Sequence, residues 1–177
     1  MKTTKLILLF TIAMATLSCS SDDDNGPEPY TLSTNNFVDT YKMKFLEVIE
    51  VETITFSNGS TSTSTSTTVG SVFQNVQYEF NSDNTFTATG LYNTQTTITN
   101  PDGSTTVEDP IIVNLDESGT YALNTGNSKV TITDDDGNAR AFEIKDYKET
   151  GMTLFSENTT ILDNSSTTIT KEYRFSK

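Results

Sequence analysis

The chain has 177 residues, with 24 acidic and 11 basic side chains, one cysteine, and neither histidine nor tryptophan. So acidic a surface repels phosphate backbones and anionic headgroups, which excludes nucleic-acid binding and membrane binding through a basic patch. A lone thiol forms no intrachain disulfide, and without histidine there is no Ser-His or Cys-His nucleophile and no His/Cys zinc site.

The first elements are targeting signals. Met1–Lys5 is a short basic stretch, and Leu6–Leu17 is an apolar run too short to span a bilayer comfortably. Ser18-Cys19 follows where a signal peptidase would cut. The arrangement resembles a bacterial lipoprotein signal, which implies acylation of Cys19 as the first mature residue; a plain secretory signal cut near Ala15 is the alternative. Removing residues 1–18 takes away Lys2 and Lys5, leaving 9 basic against 24 acidic side chains, a net charge of −15. Ser20, Ser21, Asp22, Asp23 and Asp24 resemble the acidic export signal that sends lipoproteins of the Bacteroidota to the cell surface. A solvated tether explains the same run. Asn25–Pro29 reads as an extended Pro/Gly spacer. The expected organisation is a signal at 1–18, a lipidated tether at 19–34 and a domain at 35–177.

From Tyr41 onward the apolar residues recur with period two, the spacing of strands. Tyr41–Phe56 is a long candidate strand whose apolar phase switches near Leu46, a sign of a bulge. Asn58-Gly59 supplies a tight turn, and Ser60–Val69 would return. Val76–Phe80 and Thr85–Tyr92 flank a turn at Asn81–Asn84, and Asn100–Gly103 is another turn. Ile111–Leu115, Gly119–Leu123, Lys129–Thr133, Ala141–Lys145, Met152–Phe155 and Thr167–Phe175 complete the series, with one helical turn expected at Asn35–Asp39. About ten strands joined by short hairpins predict an all-β fold, an up-and-down antiparallel barrel of about 8–10 strands, with a β-sandwich as the alternative.

Tyr78–Gly90 (YEFNSDNTFTATG), Ser118–Tyr121 and Phe142–Ile144 together resemble the lipocalin-like lipoproteins of the Bacteroidota. The resemblance runs from about Tyr41 to Lys177. It implies a small barrel and supplies no activity or catalytic residues to carry over.

Candidate chemistry is sparse. Glu50 and Glu52 could form a carboxylate pair, but they also read as the solvent face opposite Ile49 and Val51. Asp134–Asp136 contains oxygen ligands for a cation, yet lacks the spacing of a calcium loop and fits a polar turn better. The Ser/Thr run Gly59–Thr68 has no apolar side, so it and the Thr-rich hairpin Asn93–Asp109 are expected to project from the barrel or line its rim, the run being read as a flexible surface flap; regular Thr arrays suggest ice binding, but one row is too few. Tyr78, Phe80, Phe86, Tyr92, Tyr121, Phe142, Tyr173 and Phe175 are expected either to line a ligand cavity or to be core.

The function expected is that of a non-enzymatic, cofactor-free lipoprotein, anchored through Cys19 in the outer membrane at the cell surface. Its barrel would hold a small apolar or amphipathic ligand. Alternatively it is a filled scaffold that contacts a glycan or protein partner.

Overall fold

The computed structural model describes residues 30–177. Cys19, the Ser20–Asp24 run and the signal segment lie outside the described residues. Nine strands follow one helical turn: α1 (Thr34–Phe37), β1 (Asp39–Thr55), β2 (Thr61–Phe80), β3 (Thr85–Thr99), β4 (Thr105–Val107), β5 (Ile111–Asn124), β6 (Lys129–Asp134), β7 (Ala139–Lys148), β8 (Gly151–Leu162) and β9 (Ser165–Ser176). They form one antiparallel sheet in the order β2-β1-β9-β8-β7-β6-β5-β3-β4, and the β2–β3 pairing closes eight of them into a barrel. The up-and-down barrel is thus the observed fold, and no strand crosses between two sheets as a sandwich requires. The extra strand, β4, pairs only with the end of β3.

Alternation decides what fills the barrel. Tyr41 lies opposite Tyr78, Met43 opposite Phe175, and Phe80 opposite Phe86, all facing inward and buried. Phe37 of α1 plugs the base, with its ring centroid 4.6 Å from that of Phe80 and 5.6 Å from that of Tyr121. Ser33 holds this short turn in place by accepting the Asn36 N–H at 3.2 Å. The Tyr41 hydroxyl donates to the Phe37 carbonyl at 3.0 Å, and the Tyr121 hydroxyl donates to the Asn81 carbonyl at 2.7 Å. Both ends of the domain meet here. Tyr30 stacks on Tyr147 at 5.3 Å, and the Lys177 ammonium donates to the Tyr30 hydroxyl and pairs with Asp39 at 3.0 Å. Tyr30 and Leu32 therefore pack on the base, a few residues before the expected domain start.

The phase switch in β1 is real. A register shift between Met43 and Phe45 turns Leu46 inward opposite Tyr173. Val48, Glu50 and Glu52 follow on that same face, so Glu50 and Glu52 point to the interior side and Ile49 and Val51 to the outside. Both carboxylates are solvent-exposed, as expected, but on the face that continues the barrel interior, because the bulge shifts every later residue of β1 to the other face.

Several expected strands are pieces of longer ones. Ser60–Val69 and Val76–Phe80 belong to the 20-residue β2, interrupted by register shifts between Ser71 and Gln77. Ile111–Leu115 and Gly119–Leu123 merge into β5. The Ser/Thr run is not a flexible flap: Thr61–Val69 pairs continuously with β1, and Thr65 onward pairs with β3 as well. Backbone ladders on both sides hold it, and threonine suits strands whatever its polarity. Cross-strand hydroxyl pairs add to this, at 3.1 Å for Thr53–Thr63 and 2.9 Å for Thr159–Thr168.

The wall has unequal height. β7 pairs with β8 only up to Glu143–Phe155, whereas β8 and β9 stay paired to Leu162–Ser165. Above that level the upper halves of β3, β2, β1, β9 and β8 continue as an open curved sheet. Its tips are joined where the Thr55 N–H donates to the Asn164 carbonyl at 2.7 Å. The 17 residues of β1 place these tips roughly 50 Å from the base.

Candidate functional site

The boundary between packed base and open upper sheet collects the polar interior groups. Tyr78 (β2) and Glu117 (β5) both lie opposite Ala88, and the methyl of that alanine leaves room between them. Arg140 (β7) lies opposite Ile132, Tyr173 (β9) opposite Leu46 and Leu154, and Tyr92 (β3) opposite Val113. Arg140 grips Glu117 through both terminal nitrogens, at 2.5 Å and 3.4 Å. Both side chains are about one-third exposed (32% each), so the pair is partly screened. Its fork geometry directs the guanidinium toward β5 and leaves Arg140 Nε sealed from solvent without a partner among the described residues.

The tyrosines fall into two groups. At the base Tyr41 and Tyr121 spend their hydroxyls on carbonyls, while the sealed hydroxyl of Tyr147 finds no partner among the described residues. The hydroxyls of Tyr78, Tyr92 and Tyr173 make no hydrogen bond to any described residue, although Tyr78 is only 6% exposed. Burial pushes all three phenols up, Tyr173 to about 12, with Glu117 adding to the effect at each. At neutral pH the cluster therefore presents three uncharged phenols beside one internally neutralised ion pair.

Phe73 completes the ring of aromatics, stacking on Tyr92 at 5.8 Å. It reaches the interior because β2 bulges twice, with Val72 at φ 49° and Asn75 at φ 51°. A β-branched residue in the left-handed region is strained. Gly90, at φ 127°, makes the bulge possible, since a Cβ there would lie 2.6 Å from Val76 Cα. Gly70 lets the Phe73 ring lie across β2, where a Cβ would approach Phe73 Cζ to 2.8 Å.

All eight expected cavity residues face inward, but they do not form one lining. Phe80, Phe86 and Tyr121 are packed into the floor, with Phe80 and Tyr121 edge to face at 5.1 Å. Phe175 packs against Tyr78 at 5.2 Å and Phe142 against Tyr173 at 5.5 Å. Only Tyr92 and Tyr173 are half-buried at the open side, with Tyr78 behind them. Sequence reasoning missed Phe37, Phe73, Glu117 and Arg140. For Arg140 the signal was present, because it shares the phase of Phe142 and Ile144 on β7.

Among the described residues no three Asp, Glu, His or Cys side chains are grouped to hold a metal, and no helix is long and apolar enough to cross a membrane. Asp134 accepts the Asn138 backbone N–H at 2.8 Å, which is turn chemistry. β7 and β8 diverge beside the site, leaving a cleft of about 340 Å³ whose lining includes Phe142, Phe155, Ser156 and Asn158. No family model, curated protein or solved structure matches this chain.

Proposed function

We propose that this is an extracytoplasmic lipoprotein, anchored through Cys19 at the outer membrane, whose barrel binds a small amphipathic ligand at its open half. One observation carries the reading. Arg140 Nε is sealed from solvent without a partner among the described residues, and beside it the hydroxyls of Tyr78, Tyr92 and Tyr173 stand above the aromatic floor with no protein partner among those residues, open to a ligand or water. A folded chain ordinarily pairs its buried polar groups, so groups left unpaired around aromatic rings suit a ligand with a polar edge and an apolar face. The lipid anchor is supported by the signal-like segment and the lone cysteine at its end. The base, where Tyr30 enters, would then face the membrane, and the open sheet would face away from it.

Native mass spectrometry of the full chain taken from membranes tests both parts. A retained mass lost on denaturation supports the carrier, and a bare polypeptide that stays bare after incubation with cell extract favours the filled scaffold. Cys19→Ser should move the protein to the soluble fraction; unchanged membrane retention would remove the anchor from the proposal.

A further inference from the structure

The upper sheet poses a physical problem that the tyrosine cluster alone does not answer. Its inner face continues the barrel interior, the side on which a sheet normally buries apolar residues. Here that face sets hydroxyls, the carboxylates of Glu50 and Glu52 and the Lys171 ammonium among the apolar side chains of Val48, Ile54, Ile98 and Ile169. Ser64 lies opposite Glu52, Glu52 opposite Thr167 and Thr167 opposite Thr160; one step lower, Ser66 lies opposite Glu50. Ser64, Ser66 and Thr167 are half-buried, and Glu50 and Glu52 are exposed. Ser165 donates to Glu52 at 3.3 Å across this face, and lower down the Thr68 and Thr96 hydroxyls share a hydrogen bond at 2.9 Å, as threonines of the outer face also do. The result is a trough four to five strands wide, roughly 15–20 Å across and about 26 Å long from Leu46 to Ile54. At its lower end stands Tyr78, more than nine-tenths buried, its hydroxyl without a partner among the described residues. Beside it the rings of Tyr92 and Tyr173 are half-buried, the ring of Phe73 lying against that of Tyr92.

We infer that this trough binds a neutral oligosaccharide chain, one sugar ring seated on the tyrosines and the following rings running along the hydroxyl rows. The inference rests on the ligand-binding reading above and names its ligand class. A sugar presents an apolar C–H face to an aromatic ring and a rim of hydroxyls that both donate and accept. The trough offers the matching set: aromatic rings at one end, then serine and threonine hydroxyls, with Glu50 and Glu52 as acceptors. A fatty chain is a poor fit, because the apolar floor beneath the tyrosines is already filled by Phe37, Phe80 and Phe86. A polyanion is disfavoured, because Glu50 and Glu52 outnumber Lys171 on this face. Because the wall is low at β6 and β7, the trough is open along one side, so a chain can lie in it without threading.

With no tryptophan in the chain, emission comes from its seven tyrosines, three of which stand at this site. The full chain in detergent micelles is titrated with maltohexaose, cellohexaose, laminarihexaose and xylohexaose to ~10 mM, well above a Kd of ~1 mM, and separately with anilinonaphthalene sulfonate. Saturable change with at least one saccharide is expected. Thr167→Val, on the inner face, should weaken it about two- to tenfold, the worth of one hydrogen bond. Thr168→Val, its neighbour on the outer face, should leave it unchanged. Equal effects of the two substitutions would overturn the trough. Silence with all four saccharides alongside saturable binding of the sulfonate would overturn the saccharide inference and leave the amphipathic reading standing. Silence with every probe would overturn both.

Discussion

Removing the hydroxyl of a buried tyrosine ordinarily destabilises a protein, and Tyr78→Phe is expected not to. The comparison is internal to this fold. Tyr121 and Tyr41 donate to backbone carbonyls at 2.7 Å and 3.0 Å; Tyr41→Phe takes this partner from the Phe37 carbonyl, and Tyr121→Phe removes one of two donors to the Asn81 carbonyl, which keeps the Asn84 N–H at 3.1 Å. Each loss costs about 1–2 kcal/mol, or roughly 2–8 °C in Tm for a chain of this size. Tyr78 is as deeply buried, but its hydroxyl has no partner among the described residues. Deleting it gives up no bond and removes a desolvated polar group, so stability should stay within ~0.5 kcal/mol of the parent or rise by up to about 1 kcal/mol. Urea unfolding followed by tyrosine emission and far-ultraviolet dichroism measures all three variants, with an unchanged slope showing that two-state behaviour is kept. A loss above ~1 kcal/mol for Tyr78→Phe would mean that its hydroxyl is engaged inside a filled barrel. The proposed site would fall with it.

The remaining expectations concern backbone, pH and the upper sheet. Val72 sits exposed in the left-handed region, so Val72→Asn should raise stability by about 1 kcal/mol; a loss of that size in urea unfolding would show that the bulge is not strained. Burial holds the Tyr78 phenol well above its ordinary range and that of Tyr173 up to about 12. The folded state therefore keeps protons that the unfolded chain releases near pH 10, so this contribution is whole below about pH 10 and is lost as pH rises toward and through 12. For Tyr78 the slope is at most ~1.4 kcal/mol per pH unit, and a flat urea midpoint from about pH 9 to 12 would contradict it. Thr67 pairs with both Ile49 and Thr97, so its neighbours' amides should be protected from hydrogen exchange. Exchange at the rate of a free peptide over Thr65–Thr68 would return the segment to a loose flap.

Fold class was legible because the barrel wall is written in period two and its turns in Asn, Asp and Gly. Tyr78/Phe80 and Phe86/Ala88 announce their own pairing, and Asn81–Asn84 between them has turn chemistry. Strand lengths were not legible in the same way. Apolar alternation marks only the part of a strand that touches a core, so β2 appeared as two short strands where polar residues and a double bulge intervene. The bulge in β1 was visible as a change of phase, yet its consequence for Glu50 and Glu52 depended on which side of the shift faced inward. That side is fixed by the pairing of Leu46 with Tyr173, which is 127 residues away in the chain. Arg140 and Glu117 are a site only because β5 and β7 flank the short β6, a juxtaposition that no local pattern reveals.

The distribution of buried residues separates what holds this protein together from what it presents. In β1 the buried residues end at Leu46; in β2 they begin at Val76; in β3 they end at Ala88; in β9 Phe175 alone is buried. Above those positions apolar packing thins to the half-buried Val48, Phe73, Tyr92 and Tyr173, and the strand ends beyond them are ordered without an apolar core. Fixing a residue's backbone costs about 1–2 kcal/mol, and there the offsetting terms are ladder hydrogen bonds and threonine pairing rather than burial. Stability alone would be served by hairpins cut short near Leu46 and Val76, as β6 and β7 in fact are. The long strands instead raise a hydroxyl-lined wall over one side of the barrel, and the unpartnered tyrosines stand where that wall meets the packed base. The proposed ligand accounts for both features together: the rings of these tyrosines pack on the core, but neither their free hydroxyls nor the upper wall is needed to hold it together.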